Sequence, residues 1–526
     1  MTSNAPYPPA LDAGLETERL SQTIKDWSIA NGLAVRPPPA LVGQNQDPEG
    51  ILAINAPVTL FPSPFPKSCF EEAKAIQTNY NELYARISQD EEFLGRLVQE
   101  VAGGDDFIAK LWEIHLKVKE EGYVQNLSLG LFRSDYMVHQ DGDHLQIKQV
   151  EFNTIASSFG GLSAQTSLLH QYLSPCHLKH SLTHDTNTRS RHLSKTEYPL
   201  LTTPIPPNTL NLPPNTSAHS LAAGLRAAYE AYGPSILNHP TCILFIVQDG
   251  ERNIFDQRHL EYSLQQSSIP VFRLPFSQLL THTTLSPTPL RQLLYHLPHN
   301  PSQIFEVAVT YLRAGYGPND YPAPSSWLAR RRIETSNTIP CPTILTQLAG
   351  MKKVQQVLAT PPGPSTLAKF IPDEEKSSAL WRTFTNIYPL DSSSPAGREA
   401  RRLATDPKEC LKYVMKPQRE GGGNNFYKGA IPEQLKKVPE EHWNSFILME
   451  LITPPAVQNT ILRQGKLEQG GVICELGVYG TCLWDQKTGQ VKHNEEAGYL
   501  LRTKGDQSEE GGVAAGFGCM DSVALV

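Results

Sequence analysis

Residues 416–427, KPQREGGGNNFY, hold the densest chemistry in the chain. A lysine, an arginine and a glutamate lead into three consecutive glycines, directly after the apolar run CLKYVM. Three glycines forfeit helix and strand propensity and raise the entropy cost of ordering the backbone. That cost makes sense where a mobile backbone closes over an anion, because bare N–H groups suit phosphate oxygens. Lys416 offers a point charge for phosphate. Glu420 offers a hard oxygen ligand suited to magnesium. A flexible surface loop among unrelated charges has the same composition, so this block does not decide the matter alone.

A second block is IKQVEFNTIASSFGG, 147–161. In a strand, alternation places Gln149, Glu151 and Asn153 on one face. A carboxylate and an amide oxygen at i and i+2 can share one magnesium ion, completed by waters and nucleotide phosphates. The alternative is a half-exposed strand with polar residues outward. Ser157, Ser158, Gly160 and Gly161 follow as a small-residue turn suited to a ligand carboxylate. The third block is GYLLRTKGDQSEEGGVAAGFG, 498–518. Arg502 and Lys504 point the same way on a strand, and the glycine-rich loop 511–516 follows. Two cations and a loop suit a covered anion; a basic edge strand and a loose tail would read alike. GERNIFDQ, 250–257, and RAGY, 313–316, sit just past apolar strands, where doubly wound sheets bind ligands. Ordinary βα loops occupy the same places.

These segments need a scaffold. Apolar spacing near 3.6 predicts helices over 15–33, 64–88, 91–102 and 105–122, the last ending at Gly122. The period then changes, and 127–156 reads as two strands around the turn Asp141-Gly142-Asp143. Residues 183–217 are rich in Thr, Pro, Ser and Asn and poor in large apolar side chains. That composition cannot bury a core and reads as an insertion or disordered loop. From 218 to about 340, helices alternate with the apolar runs CILFIV, IPVFRLPF and IFEVAVTYL, the pattern of a small doubly wound α/β unit. A second polar stretch, 386–398, interrupts the last third. The chain thus divides at 1–182, 183–217, 218–343 and 344–526.

Composition narrows the class. The 526 residues are 39% hydrophobic and 19% charged, with net charge −7, which argues against a nucleic-acid coat or a polybasic membrane anchor. No apolar run approaches the length of a spanning helix. The first residues carry no basic segment followed by an apolar one, so no secretory signal is expected. The eight cysteines form no C-x-x-C pair and are expected as reduced thiols of a cytoplasmic protein. The P-loop, protein-kinase, H-E-x-x-H and G-x-S-x-G patterns are absent.

Six segments taken together carry a resemblance: KPQREGGGNNFY, ERNIFDQ, QLAGMKKVQQ, VEFNTIASSFGG, FRSDYM and LLRTK with GGVAAG. The chain resembles the eukaryotic glutathione synthetases, in a fungal-type form of these ATP-grasp ligases. The resemblance implies an α/β (α+β) ATP-grasp fold, an inserted doubly wound substrate-binding unit and an N-terminal helical region. It implies ligation of glycine to γ-L-glutamyl-L-cysteine, with ATP converted to ADP and phosphate, in a cytoplasmic homodimer that binds neither nucleic acid nor membrane. A related ligase using another amine (a homoglutathione type), or an inactive nucleotide-binding regulator, are the alternatives.

The implied roles fall on this sequence as follows. Glu151, Asn153 and Glu420 are the implied Mg2+ ligands. ATP is implied along Glu151, Lys352, Lys416, Pro417, Gln418, Arg419, Glu420, Gly421, Gly422, Gly423, Asn424, Asn425 and Tyr427. Met449, Glu450, Leu451 and Ile452 form the adenine-side hinge, with Glu475, Lys504 and Glu510 completing the nucleotide side. The dipeptide is implied at Arg133, Ile155, Ala156, Ser157, Ser158, Glu251, Arg252, Asn253 and Gln257. Arg313, Ala314, Gly315, Tyr316, Arg502, Val513 and Ala514 complete that set. Arg133, Ser158, Gly423 and Arg502 are the implied catalytic residues. Ala156 departs from the serine often found in the turn, so only its backbone can contribute there. Glu510 stands where aspartate is common.

Overall fold

Asp90 accepts a hydrogen bond from Phe93 N and Asp105 one from Ile108 N, capping the helices Glu91–Val101 and Asp106–Glu121. Gly122, at φ 83°, ends the second in the left-handed region that glycine enters without strain. The computed structural model describes residues 7–9, 11, 14–43, 45–174, 210–360, 364–508, 513 and 518–526. The insertion up to residue 209, Glu510, Ala514 and the glycines at 511, 512 and 516 lie outside the described residues. The first helix spans Leu15–Ala30. The stretch 64–88 forms two helices, Lys67–Ala75 and Gln77–Gln89, meeting at Ile76, where the sequence pattern predicts one.

Six strands build the site: β1 (Leu127–Asp141), β2 (His144–Asn153), β3 (Tyr413–Pro417), β4 (Phe446–Glu450), β5 (Lys466–Asp485) and β6 (Val491–Gly505). β1 and β2 are the expected hairpin, with Asp141 opposite His144 and Gly142 turning at φ 59°. A seven-stranded sheet runs in the order Val457–Arg463, Val58–Thr59, Cys519–Asp521, β6, β5, β1, β2. A four-stranded antiparallel sheet runs Ile387–Pro389, β4, β3, Phe426–Tyr427. The back of the large sheet is apolar. Phe132, Tyr136, Phe152, Leu476, Val478 and Leu501 are buried there in one core with Tyr80, Leu83 and Tyr84 of the Gln77–Gln89 helix. Tyr84 and Phe152 stack with ring centroids 3.7 Å apart.

The third sheet is parallel at its heart: Val271–Pro275, Thr241–Val247, Asn300–Leu312 and Ile339–Cys341. Two antiparallel strands, Thr283–Leu285 and Leu293–Leu297, extend one edge. Ile243, Phe245 and Val247 pack into one core with Leu221, Leu225, Leu260 and Leu264 of the helices Ser217–Tyr232 and Ile254–Gln266. Cys242, Leu244 and Ile246 pack into another with Ala329 and Ile333. A strand buried on both faces reads as an unbroken apolar run, which is why CILFIV shows no alternation.

Residues 210–217, assigned to the insertion by composition, are anchored by two backbone carbonyls and one side-chain amide. Leu525 N donates to Asn211 O (2.9 Å), Tyr499 OH to Pro213 O (3.1 Å) and Asn215 Nδ2 to Tyr499 O (2.7 Å). The polar stretch 386–398 likewise has structure. Ile387–Pro389 is an edge strand, and Ser394 caps the helix Pro395–Thr405 through Gly397 N. The seven described cysteines are all buried and unpaired. Among the described residues, no helix is long and apolar enough to cross a membrane.

Candidate active site

Ladder register places a single charged face on the seven-stranded sheet. Arg133 stands opposite Asn153 and Tyr479, Asp135 opposite Glu151 and Gly477, and Glu475 opposite Arg502. Directly opposed residues share a face, so these residues and Lys504 all lie on the cleft side of the sheet. Gln149 does not join them. A bulge at Val150 lets Tyr136 pair with Gln149 while Asp135 pairs with Glu151, so Gln149 falls on the core face. It is fully buried there, with Gln355 Nε2 donating to its Oε1. The expectation of three polar residues on one face therefore holds for Glu151 and Asn153 only.

Lys352 and Lys416 project from outside the large sheet toward Glu151. Lys352 Nζ lies 3.1 Å from Glu151 Oε2 and 3.3 Å from Glu420 Oε1. Lys416 Nζ donates to Val150 O at 2.8 Å. Burial would raise the Glu151 carboxyl, but Lys352, Lys416, Arg502 and Arg133 together hold it at about 2. Burial lifts the Glu420 carboxyl to about 7, against Lys352 and with Glu151 adding to the rise. Two carboxylates thus share one ammonium, and the one facing more cations keeps its charge. Burial lowers Lys416, with Glu151 opposing.

Two chambers meet at this cluster. The first, of about 240 Å³, has apolar walls from Met137, Val150, Val414, Met449, Leu451 and Ile452. Its polar end is Glu151, Lys416, Glu475, Arg502 and Lys504, with Asn425 and Tyr427 at the rim. An apolar slot ending in cations suits a purine followed by phosphates. Glu450 lines the slot too, but its carboxylate is held by Asn386 Nδ2 (2.9 Å) and Tyr388 OH (3.0 Å). Gln418 does not face the slot. It is buried, accepting from Lys353 N and donating to Ser445 O, and so braces the loop beside Pro417. Arg419 pairs with the helix-capping Asp105 and ties the glycine loop down. Gly421 (φ 80°) and Gly423 (φ 90°) both take left-handed conformations, which a β-carbon would strain.

The second chamber, about 450 Å³, is lined by Arg133, Asn153, residues 155–159, Gln248, Tyr316, Glu420, Asn424 and Val513. It shares Arg419, Gly421, Gly422 and Arg502 with the first. A third cavity of about 320 Å³ continues past Phe159, Gln248 and Val513 to Glu251, Arg252 and Asn253. The turn that separates them is held from both sides. Arg133 Nη1 (3.2 Å) and Tyr479 OH (2.6 Å) donate to Ser158 O. Arg313 Nη2 donates to Ser158 Oγ (2.9 Å) and to Asp256 (3.0 Å). Asp256 also accepts from Phe159 N and Gly161 N. Ala156 (φ 53°) and Phe159 (φ 74°) are left-handed non-glycine residues, strain of the kind that clusters at ligand sites. Ser157 Oγ, Asn253 Oδ1, Gln257 Oε1 and Arg313 Nε are buried polar atoms with no hydrogen-bond partner among the described residues. Such atoms are expected where a polar ligand completes the network.

Several expected contacts fall elsewhere. Ala314 is fully buried in the core. Gly315, at φ 83°, presents its N–H to Asp320 (2.8 Å). Arg252 Nε donates to Arg36 O (3.3 Å) while the residue lines the third cavity. Gln257 donates to Glu251, and Gln248 Nε2 to Tyr316 OH (2.9 Å), fixing that phenol. Asp135, Tyr479, Gly477, Asp256 and Gln248 are site residues that the motif reading left unassigned. The i, i+2 spacing of Arg133 and Asp135 was the available signal for the first.

A largely antiparallel seven-stranded sheet and a four-stranded antiparallel sheet enclosing a cation-rich slot, with a parallel α/β unit beside them, define an ATP-grasp ligase. The family model for the eukaryotic glutathione synthase ATP-binding domain matches residues 15–525. The glutathione synthetase large chain of Schizosaccharomyces pombe is 38% identical, over 97% of this chain and 98% of that one. The glutathione synthetase of Homo sapiens is 35% identical, over 96% of each. A solved glutathione synthetase-like effector from Globodera pallida shares the fold, with a TM-score of 0.68 at 21% identity over 97% of this chain and 96% of that one. The chain belongs to the eukaryotic glutathione synthase family.

Proposed function

We propose that the chain makes glutathione by ATP-dependent ligation of glycine to γ-L-glutamyl-L-cysteine, as a cytoplasmic homodimer. Membership of the family and the shared wall between the two chambers support this reading. In it, the cysteinyl carboxylate oxygen attacks the γ-phosphorus of ATP and the bond to ADP breaks. The glycine amine then attacks the acyl carbon, the carbon–oxygen bond to phosphate breaks, and the amine loses a proton.

The protein's part is positioning and charge neutralisation. Lys352, Lys416 and Lys504 hold the phosphates, and the 416–427 loop covers them. Arg133 and Arg502 stand where the carboxylate and the developing oxyanion meet the transferred phosphoryl group. Glu251, Asn253, Gln257 and Arg313 receive the γ-glutamyl end, and Ser157 and Ser158 the cysteinyl end. Closure of the 416–427 loop keeps water from the acyl phosphate.

Glu151, Asn153 and Glu420 fit magnesium by donor chemistry. All three offer oxygen, since the Asn153 amide nitrogen is occupied by Asp135 and Arg133 O. Among the described residues, no three His, Cys, Asp or Glu side chains gather into a closed cage. Two carboxylates and an amide leave positions for nucleotide phosphates. When bound there, magnesium would neutralise phosphate charge.

The single observation that carries the reading is Arg502, which lines both chambers. The test is ADP release by purified protein with each substrate omitted in turn. Release should require ATP, the dipeptide and glycine together. Turnover with β-alanine or serine but not glycine would assign the enzyme to another amine.

A further inference from the structure

Asp135 lies at the centre of the charged face and is fully buried. It borders none of the three cavities. Its Oδ2 accepts three hydrogen bonds from three strands: Arg133 Nη2 at 2.8 Å, Asn153 Nδ2 at 2.9 Å and Arg502 Nη2 at 2.9 Å. Its Oδ1 accepts from Arg133 Nε at 2.6 Å. One carboxylate therefore holds two guanidinium groups of like charge against each other. Together with Arg133 O, at 3.2 Å, it sets which way the Asn153 amide points, because the nitrogen faces these two acceptors and the oxygen is left for the cleft.

We propose that Asp135 is a positioning residue for the ligation: it sets Arg133, Arg502 and the Asn153 amide in one rigid constellation without touching substrate. The inference rests on the ligase reading above. Charge-assisted hydrogen bonds of this kind are strong and directional, and reacting groups must be held to within a fraction of an ångström. Gly477 supplies an independent sign. A β-carbon there would lie 2.7 Å from Arg133 Cδ and 2.8 Å from Asp135 Oδ1. The backbone of β5 leaves out a side chain at the point where the arginine–aspartate pair lies across it.

Asp135→Asn keeps the shape but cannot accept all four hydrogen bonds. If its amide nitrogen replaces Oδ2, three donors face a donor. If it replaces Oδ1, Arg133 Nε does. The expected result is a fall in kcat of about 100-fold, the scale of a misplacement near an ångström. The KM for ATP should stay within about threefold, because Lys352, Lys416 and the apolar slot are untouched. Gly477→Ala, which adds one methyl on the cleft side and removes no charge, should give the same split between kcat and KM.

Melting temperatures and steady-state kinetics of parent and both variants test this. Folded Asp135→Asn with near-parental kcat overturns the proposal. So does an Asp135→Asn variant that fails to fold while Gly477→Ala behaves as the parent, which assigns Asp135 to stability alone. A parent that ligates nothing removes the underlying reading, and this one with it. An active parent with unaffected variants removes only this one.

Discussion

Lys352 Nζ sits 3.1 Å from Oε2 of Glu151, with both side chains inside the cleft and the lysine only 3% exposed. The same ammonium reaches Glu420, so one cation links the strand that ends the large sheet to the glycine loop of the small one. Replacing it by methionine leaves two carboxylates without that partner. Lys352→Met should cost about 3–5 kcal/mol of unfolding free energy, the usual result of breaking a buried ion pair from one side. Magnesium with ATP should restore part of the loss if those carboxylates are ligands. Thermal denaturation with and without Mg-ATP measures both effects, and a loss that Mg-ATP does not reduce would argue against the ligand assignment.

Glu420→Gln separates stability from turnover. Burial already disfavours the charged form of Glu420, lifting its carboxyl to about 7. A neutral amide should therefore be tolerated, with little change in melting temperature. Magnesium-dependent turnover should nonetheless drop about 100-fold or more. Parental activity and magnesium dependence in this variant would show that Glu420 is not a ligand.

Two buried groups behind the sheet make opposite contributions to the dependence of stability on pH. His170 contacts Ser522 Oγ (2.6 Å) and Thr59 O (3.0 Å), and burial lowers it from 6.5 to about 4, despite Thr59. The unfolded chain then binds a proton that the folded chain refuses. This contribution is full above 6.5 and is lost as pH falls through about 4, by roughly 3 kcal/mol. Asp521 has the opposite sign. Burial raises it from 3.8 to about 6, against hydrogen bonds from Ser63, Thr503, Thr59 and Ser522. Its contribution is full below 3.8 and is lost as pH rises through about 6, again by roughly 3 kcal/mol. The two nearly cancel between pH 4 and 6. Asp521→Asn should expose the acid loss of His170, and His170→Gln should make the protein relatively more stable on acidification. Urea denaturation at pH 7, 6, 5 and 4 gives the slopes; equal slopes in parent and both variants would refute the assignment.

The Pro/Thr-rich insertion predicts a sharp boundary. Few large apolar side chains lie in 184–209, so deleting that stretch should leave activity and melting temperature close to parental. Extending the deletion to 214 removes Asn211 and Pro213, whose carbonyls hold Leu525 N and Tyr499 OH. That longer deletion should cost about 1–2 kcal/mol for two lost hydrogen bonds, a fall of about 1–2 °C in melting temperature at this chain length. Equal melting temperatures for the two deletions would show that the anchor contributes nothing.

Local rules carried the sequence reading far. Gly122 marked a helix end because capping is decided within four residues. CILFIV read as a strand buried on both sides because its apolar run is unbroken. Arg502 with Lys504, and Glu151 with Asn153, could be placed on common faces by alternation. Gln149 could not, because the bulge at Val150 is set by the register of the partner strand. Asp135 follows Arg133 by two residues, yet Arg502, which gives it much of its meaning, lies 367 residues away. Asp256 collects its partners from a turn about 95 residues earlier. The anchor of 210–217 works largely through backbone carbonyls, which composition does not report.

The central claim is that the dipeptide carboxylate is phosphorylated where the two chambers meet, before the amine attacks. γ-Glutamylcysteine carrying 18O in both cysteinyl carboxylate oxygens tests this directly, with mass spectrometry of the phosphate formed during ligation. One labelled oxygen in each phosphate is the predicted result, because the oxygen that attacks phosphorus must leave with it. Unlabelled phosphate accompanying labelled tripeptide would contradict the account.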